Sequence, residues 1–272
     1  MDSGKSILSY QDNLIAKSQE VFETTKKEMR SRFMTIHNGN KITFSIDTPI
    51  FHTLELLNSL FKRQEKNLIL EDALFNATNL LESSFVTAIQ GQYRIANSEL
   101  RATLDDTLTR CYFDELKKEG NLPEYPKNQG KTNDYIEWSH GWKKEYPSLK
   151  EIYDKLKSNK QISKYNKKYE LIDKIKNHYS TLSKFTHNRP DTLEYKTGST
   201  IQTGLTNIRF DKEEFNNYDK NLQKTHEIMM TILFLKLPEY VQNNTAEFTR
   251  FKEMNQNTAA QIENTIKETQ ND

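Results

Sequence analysis

Apolar residues recur every three or four positions along most of the chain, and the best-marked stretch runs from about 68 to 118. There Leu81, Phe85, Ile89, Tyr93, Ala96, Leu100, Leu104, Leu108 and Cys111 follow one another at that interval, which keeps them on one stripe of a helix. No proline interrupts the run. The glycine in Gln90-Gly91-Gln92 predicts either a junction between two helices or a close helix crossing, because an isolated glycine costs about 1 kcal/mol inside a helix.

The same reading extends outward. Residues 5–36 carry Leu14, Val21, Phe22, Met29 and Phe33 at mainly helical intervals and stop near His37-Asn38-Gly39-Asn40, predicting an N-terminal amphipathic helix. Ile42, Phe44 and Ile46 alternate, as do Thr206, Ile208 and Phe210, so a short strand or extended link is open at each place. Asp47, Thr48 and Pro49 start a helix over 49–64. Residues 119–134 are punctuated as a loop, and an aromatic segment with Trp138 and Trp142 follows. Helices are predicted over 148–157, 161–186 and 212–237, the last closed by Pro238. From Asn243 onward the larger apolar residues thin to Phe248, Phe251, Met254, Ile262 and Ile266. Such a tail is expected to bury too little to matter to the fold.

The fold expected is all-α: an antiparallel helical bundle over 45–240, an N-terminal bracing helix and link over 1–44, and a polar C-terminal helical tail over 241–272. Composition agrees, since hydrophobic residues are 35%, charged residues 28%, and only 8 glycines are present. Tight βα turns and phosphate-cradling loops consume more glycine than that.

Charge and motifs exclude more than they assign. A net charge of +1 gives no global field toward nucleic acid, so any such binding rests on a local patch. The apolar run Met229–Leu235 is far shorter than the roughly 18 residues of a membrane span. With no signal-type apolar core at the start, a cytoplasmic protein without membrane contact is expected. There is no GxGxxG, P-loop, HExxH, GxSxG or CxxC pattern. The six histidines lack metal-ligand spacing, and no cofactor is expected. Cys111 falls on the apolar stripe as an ordinary buried thiol.

Residues 155–176, KLKSNKQISKYNKKYELIDKIK, interleave lysines with tyrosines. Lys164, Lys167, Lys168, Tyr165 and Tyr169 form a nucleic-acid footprint there, with Arg94 as a further contact, since cations beside aromatic faces suit single-stranded RNA. The bland alternative is a solvated helix face.

Two motifs carry a resemblance. GQYRIANSELRATLDDTLTRCYFDEL at 91–116, followed by EWSHGW and then YSTLSKFTHNRP at 179–190, resembles a group of bacterial all-helical proteins similar in turn to the HEPN superfamily. Many proteins of that superfamily are metal-independent ribonucleases of defence and toxin systems. The resemblance covers about residues 80–237 in element order. It implies a functional set of Arg94, Arg101 and Asp105 on one helix and Tyr179, Ser183 and His187 at another. On a helical wheel the first three lie within about 40° of one another.

Arg101 and His187 are the implied catalytic pair: imidazole moves the 2′-hydroxyl proton while guanidinium stabilises the phosphorane. The sequence departs from the family pattern in one respect. An Arg and a His with four to six residues between them are usual, but only Arg30 or Arg32 with His37 fits that spacing. Other roles stay open for both residues. His187 can cap a helix end, and Arg101 can pair with Asp105 one turn away. The other functional class is a non-catalytic helical module that binds a partner protein or a second copy, through the segment around Trp138 and Trp142.

Overall fold

A computed structural model describes residues 47–63, 67–122, 134–139, 147–186 and 212–271, all within the compact unit Ile46–Asp272. The expected N-terminal helix, both alternating segments, Trp142 and His187 lie outside the described residues. Among those described, every regular element is a helix. They are α1 (Asp47–Phe61), α2 (Leu68–Ile89), α3 (Tyr93–Lys118), α4 (Asp134–Ser139), α5 (Leu149–Ser158) and α6 (Lys160–Tyr169). After these come α7 (Leu171–Thr186), α8 (Lys212–Lys236), α9 (Pro238–Gln242), α10 (Ala246–Met254) and α11 (Gln256–Gln270).

The long stripe divides where the glycine stands. Gly91 has a φ of 78°, a left-handed conformation that costs a residue without a Cβ nothing. The chain therefore turns back between α2 and α3. Contacts converge on that turn from both sides: Asn67 with Asp114, Asp72 with Arg110, Ser83 with Glu99 and Ser84 with the Ala96 carbonyl. All nine stripe residues from Leu81 to Cys111 are buried. Burial also pushes the Cys111 thiol up to about 12, so it stays protonated and inert.

α3 is the central strut, packed against α2, α5, α7 and α8. A helix surrounded in this way must bury polar positions, and Thr103 and Thr109 manage it by donating to the carbonyls of Glu99 and Asp105. At its C-terminal end Lys236 of α8 pairs with Asp114 at 2.7 Å and with Glu115. Asn159, the residue that caps α6, donates to the same Glu115. One buried ion cluster thus fixes four helices at one point.

Two expectations differ from the structure. The helix predicted over 161–186 breaks at Glu170, whose φ of 54° is left-handed without a glycine. Asn166 compensates, its carbonyl accepting from Glu170 N–H and its side chain from Ile172 N–H. The second difference is larger. Residues 243–271 fold as α10 and α11 and pack, with Phe248, Phe251, Ala259 and Ile262 fully buried. Thr265 and Thr269 are buried beside them because each donates to its own i−4 carbonyl, so residues that read as polar behave as core.

A pair of buried histidines anchors this C-terminal part. His52 Nε2 lies 2.6 Å from the Glu247 carbonyl, which can only accept, so that nitrogen carries the proton. His52 Nδ1 is then an acceptor, 3.1 Å from His226 Nε2 as donor. His226 Nδ1 is left unprotonated and without a hydrogen-bond partner. Burial lowers both pKa values, that of His52 to about 4.

Candidate functional site

The motif residues of α3 and α7 meet along one seam. Arg101 Nη2 donates to the Tyr179 hydroxyl at 2.7 Å, and that hydroxyl donates to Asp105 Oδ2 at 3.3 Å. The guanidinium carbon lies 4.8 Å from the Tyr179 ring centroid. Arg101 Nε is 3.7 Å from Asp105 Oδ2, an ion pair too long for a hydrogen bond. Burial raises the Asp105 pKa, opposed by the Tyr179 hydrogen bond and the Arg101 charge. Arg101 and Asp105 keep 19% and 39% of their side-chain surface exposed, so the cluster borders solvent.

Arg94 sits further along the seam and donates from Nε to the Phe185 carbonyl at 2.9 Å. The described end of α7 therefore lies beside Arg94. Phe185 is six residues beyond Tyr179, about 9 Å along the helix, so Arg94 rather than Arg101 flanks the last turn before His187. Ser183 turns back onto its own helix, donating to the Tyr179 carbonyl.

The expected nucleic-acid footprint on α6 has another occupant. Lys168 Nζ lies 2.6 Å from both carboxylate oxygens of Glu268 on α11, and Lys164 Nζ lies 3.9 Å from one of them. Tyr165 is 1% exposed and donates to Gln261 of α11, while Tyr169 packs on it at 4.8 Å between centroids. A buried ring offers no face to a base, so Tyr165 is a packing residue. Lys167 is exposed as well.

Trp138 also differs from the expectation of an offered aromatic. Its ring packs 5.5 Å from Phe113 and lies under the Arg110 guanidinium at 5.1 Å. Arg110 in turn pairs with Asp106 at 2.8 Å, and the Tyr135 hydroxyl bridges it to Asp72. These contacts dock α4 onto the α2–α3 hairpin.

Beside the Arg101 cluster, α5 and α7 enclose an open cleft of about 610 Å³. Lys150, Tyr153, Asp154 and Lys157 line it from α5, and Lys176, Tyr179 and Ser180 from α7. Burial, with the nearby Tyr179 and Asp105 charges, pushes the Tyr153 hydroxyl up to about 12. Lys176 Nζ stands 5.7 Å from the Tyr153 ring centroid. The sequence held a usable signal for this face, since Lys150, Tyr153 and Lys157 follow at three- and four-residue steps on a helix opened by a Ser148–Glu151 capping box.

Among the described residues no group of three His, Cys, Asp or Glu side chains is placed to hold a metal ion, and no helix is long and apolar enough to cross a membrane. No protein-family model, curated protein or solved structure matches the chain.

Proposed function

We propose that this chain is a HEPN-like protein of the bacterial defence or toxin type that acts on RNA as a metal-independent endoribonuclease. The observation that carries the reading is the meeting of Arg101 with Tyr179 across 78 positions of sequence, at a solvent-bordering point next to an open cleft. In the reaction the 2′-oxygen attacks phosphorus, the bond to the 5′-oxygen breaks, and a 2′,3′-cyclic phosphate and a 5′-hydroxyl form. Guanidinium stabilises the charge that develops on the phosphorane, His187 takes the 2′-hydroxyl proton, and water supplies the proton of the departing 5′-oxygen.

Cleavage of RNA by the purified chain, with and without chelator, tests this. Arg101→Ala and His187→Asn each lower cleavage by about 10² or more with little change in melting, and the double variant is scarcely worse than either single. Arg94→Ala runs beside them, because Arg94 is the arginine at the described end of α7. A larger loss there than at Arg101 transfers the charge-stabilising role to Arg94. Wild-type cleavage by His187→Asn, or cleavage abolished by chelator, overturns the mechanism.

A second reading, a non-catalytic module that binds a partner protein, has one observation in its favour. Arg101 is already engaged by Tyr179 and Asp105, a closure that a helix–helix seam uses without any substrate. On that reading Arg101→Ala lowers Tm and no RNA is cleaved by the wild type.

A further inference from the structure

We infer that the cleft between α5 and α7 is the site where single-stranded RNA is held, taking about one nucleotide with its flanking phosphates; this rests on the RNA reading above and assigns it a place. The lining sets three lysines, Lys150, Lys157 and Lys176, against one carboxylate, Asp154, so the charge balance suits a polyanion. Two of these lysines already have neighbours, Lys157 with Asp154 and Lys176 with Asp173, both at 3.3 Å and one turn apart on their own helix. Exposed pairs of this kind are weak and yield to a phosphate that brings a full charge to both.

The two walls contribute differently. Lys157 comes from α5 and Lys176 from α7, so successive phosphates are met from opposite sides. Tyr153 is 6% exposed, which leaves an edge at the floor, whereas Tyr179 is partly exposed with its hydroxyl held by Arg101. Phosphates at the rim and a base against the exposed part of Tyr179 match how single strands are held. Asp154 and Ser180 add an acceptor and a hydroxyl to the wall, partners for the 2′-hydroxyl that distinguishes RNA from DNA. A volume of about 610 Å³ lies within the range of sites that enclose a nucleotide-sized ligand. The α6 lysines compete less well, because Glu268 meets Lys168 with both oxygens at 2.6 Å and Tyr165 beside them is packed against α11.

The test is fluorescence anisotropy of the full chain with a labelled single-stranded RNA, checked by gel to be intact, and with the matching DNA. Lys157→Glu combined with Lys176→Glu weakens RNA binding at least tenfold. The milder Lys157→Gln with Lys176→Gln weakens it less and lowers the salt slope by about 1.4, the loss of two phosphate contacts on a single strand. This neutral pair keeps the test decisive should the charge-reversed pair fold poorly. Lys220→Glu combined with Lys267→Glu makes the same charge change on exposed positions outside the cleft and leaves affinity within about threefold of wild type. Equal weakening by the control pair, or a cleft pair that leaves affinity unchanged, overturns the cleft while the RNA reading stands. Equal affinity for DNA overturns the assignment of Asp154 and Ser180 to the ribose. Absence of RNA binding by the wild type is a separate signature and overturns the RNA reading itself.

Discussion

Two helices of similar composition, α5 and α6, meet different fates. Each is ten residues long and rich in lysine, with two tyrosines on α6 and one on α5. On α6 the cations face α11, where Glu268 takes Lys168 and approaches Lys164, and Gln261 takes the Tyr165 hydroxyl. On α5 the corresponding face meets the lysine-bearing side of α7 and stays open as a cleft. A lysine–tyrosine face becomes a helix interface where a carboxylate partner is supplied from elsewhere in the chain, and a binding surface where the neighbour is also cationic. The partner in this case is 100 positions away in sequence.

The largest test of that contrast removes the partner. Truncation after Gln242 deletes α10 and α11 and strips cover from Phe234 and Tyr165, both buried in the full chain. Phe248, Phe251, Ile262 and Ile266 are lost from the core, and each such side chain contributes about 1.5 to 3 kcal/mol when buried. Their sum approaches the 5 to 15 kcal/mol by which whole domains are stable. The truncated chain is therefore expected to lose its cooperative unfolding transition in denaturant. A native-like transition would show that α11 only decorates α6.

What the sequence made legible follows from the range of each interaction. The stripe from Leu81 to Cys111 and the break at Gly91 are local, and all of those stripe residues are buried as their spacing predicts. The break at Glu170 was not legible, because it uses an Asn166 side chain in place of the usual glycine. The C-terminal helices read as a dispensable tail because threonines that satisfy their own hydroxyls pass for surface residues. The meeting of Arg101 with Tyr179 was not legible: in sequence Arg101 is set against Asp105 one turn away or against His187, which lies outside the described residues. The cleft was missed because its two walls come from separate helices, and Lys157 and Lys176 were read together with the neutralised lysines between them.

Acid separates the two regions next. His52, against the Glu247 carbonyl of α10, and His178, against Thr225 of α8, have pKa values lowered by burial to about 4. The unfolded chain takes these protons near 6.5, so between pH 6.5 and about 4 the unfolded state binds more protons. Their contribution is fully present above pH 6.5 and is lost as pH falls toward 4, about 3 kcal/mol for each ring. On His52 the added proton also sets two N–H donors against each other, because His226 Nε2 already donates to Nδ1. Hydrogen exchange at pH 5 should therefore open α10 and α11, and α7 around His178, before α5. A Tm that holds constant from pH 7 to 4.5 would contradict the neutral, buried assignment of both rings.

The smallest change bears most directly on the contrast. Glu268→Gln removes the carboxylate that Lys168 and Lys164 share and keeps the size and most of the packing of the side chain. Lys168 and Glu268 are 44% and 40% exposed, and pairs in that setting add little to stability. The Tm is expected within about 2 °C of wild type. The charge on α6 is another matter, because Lys168, neutralised at short range by Glu268, then faces solvent beside the exposed Lys167. Retention on a heparin column should increase relative to wild type, and RNA affinity should rise by about twofold to tenfold at low salt, with a steeper salt dependence. The same substitution leaves the α5–α7 cleft untouched, so the cleft-dependent part of RNA binding should remain sensitive to Lys157→Gln with Lys176→Gln in the Glu268→Gln background. If retention and affinity stay at wild-type levels, Glu268 is not what silences α6, and the difference between the two lysine faces has to come from the shape of the helix surface instead of its charge.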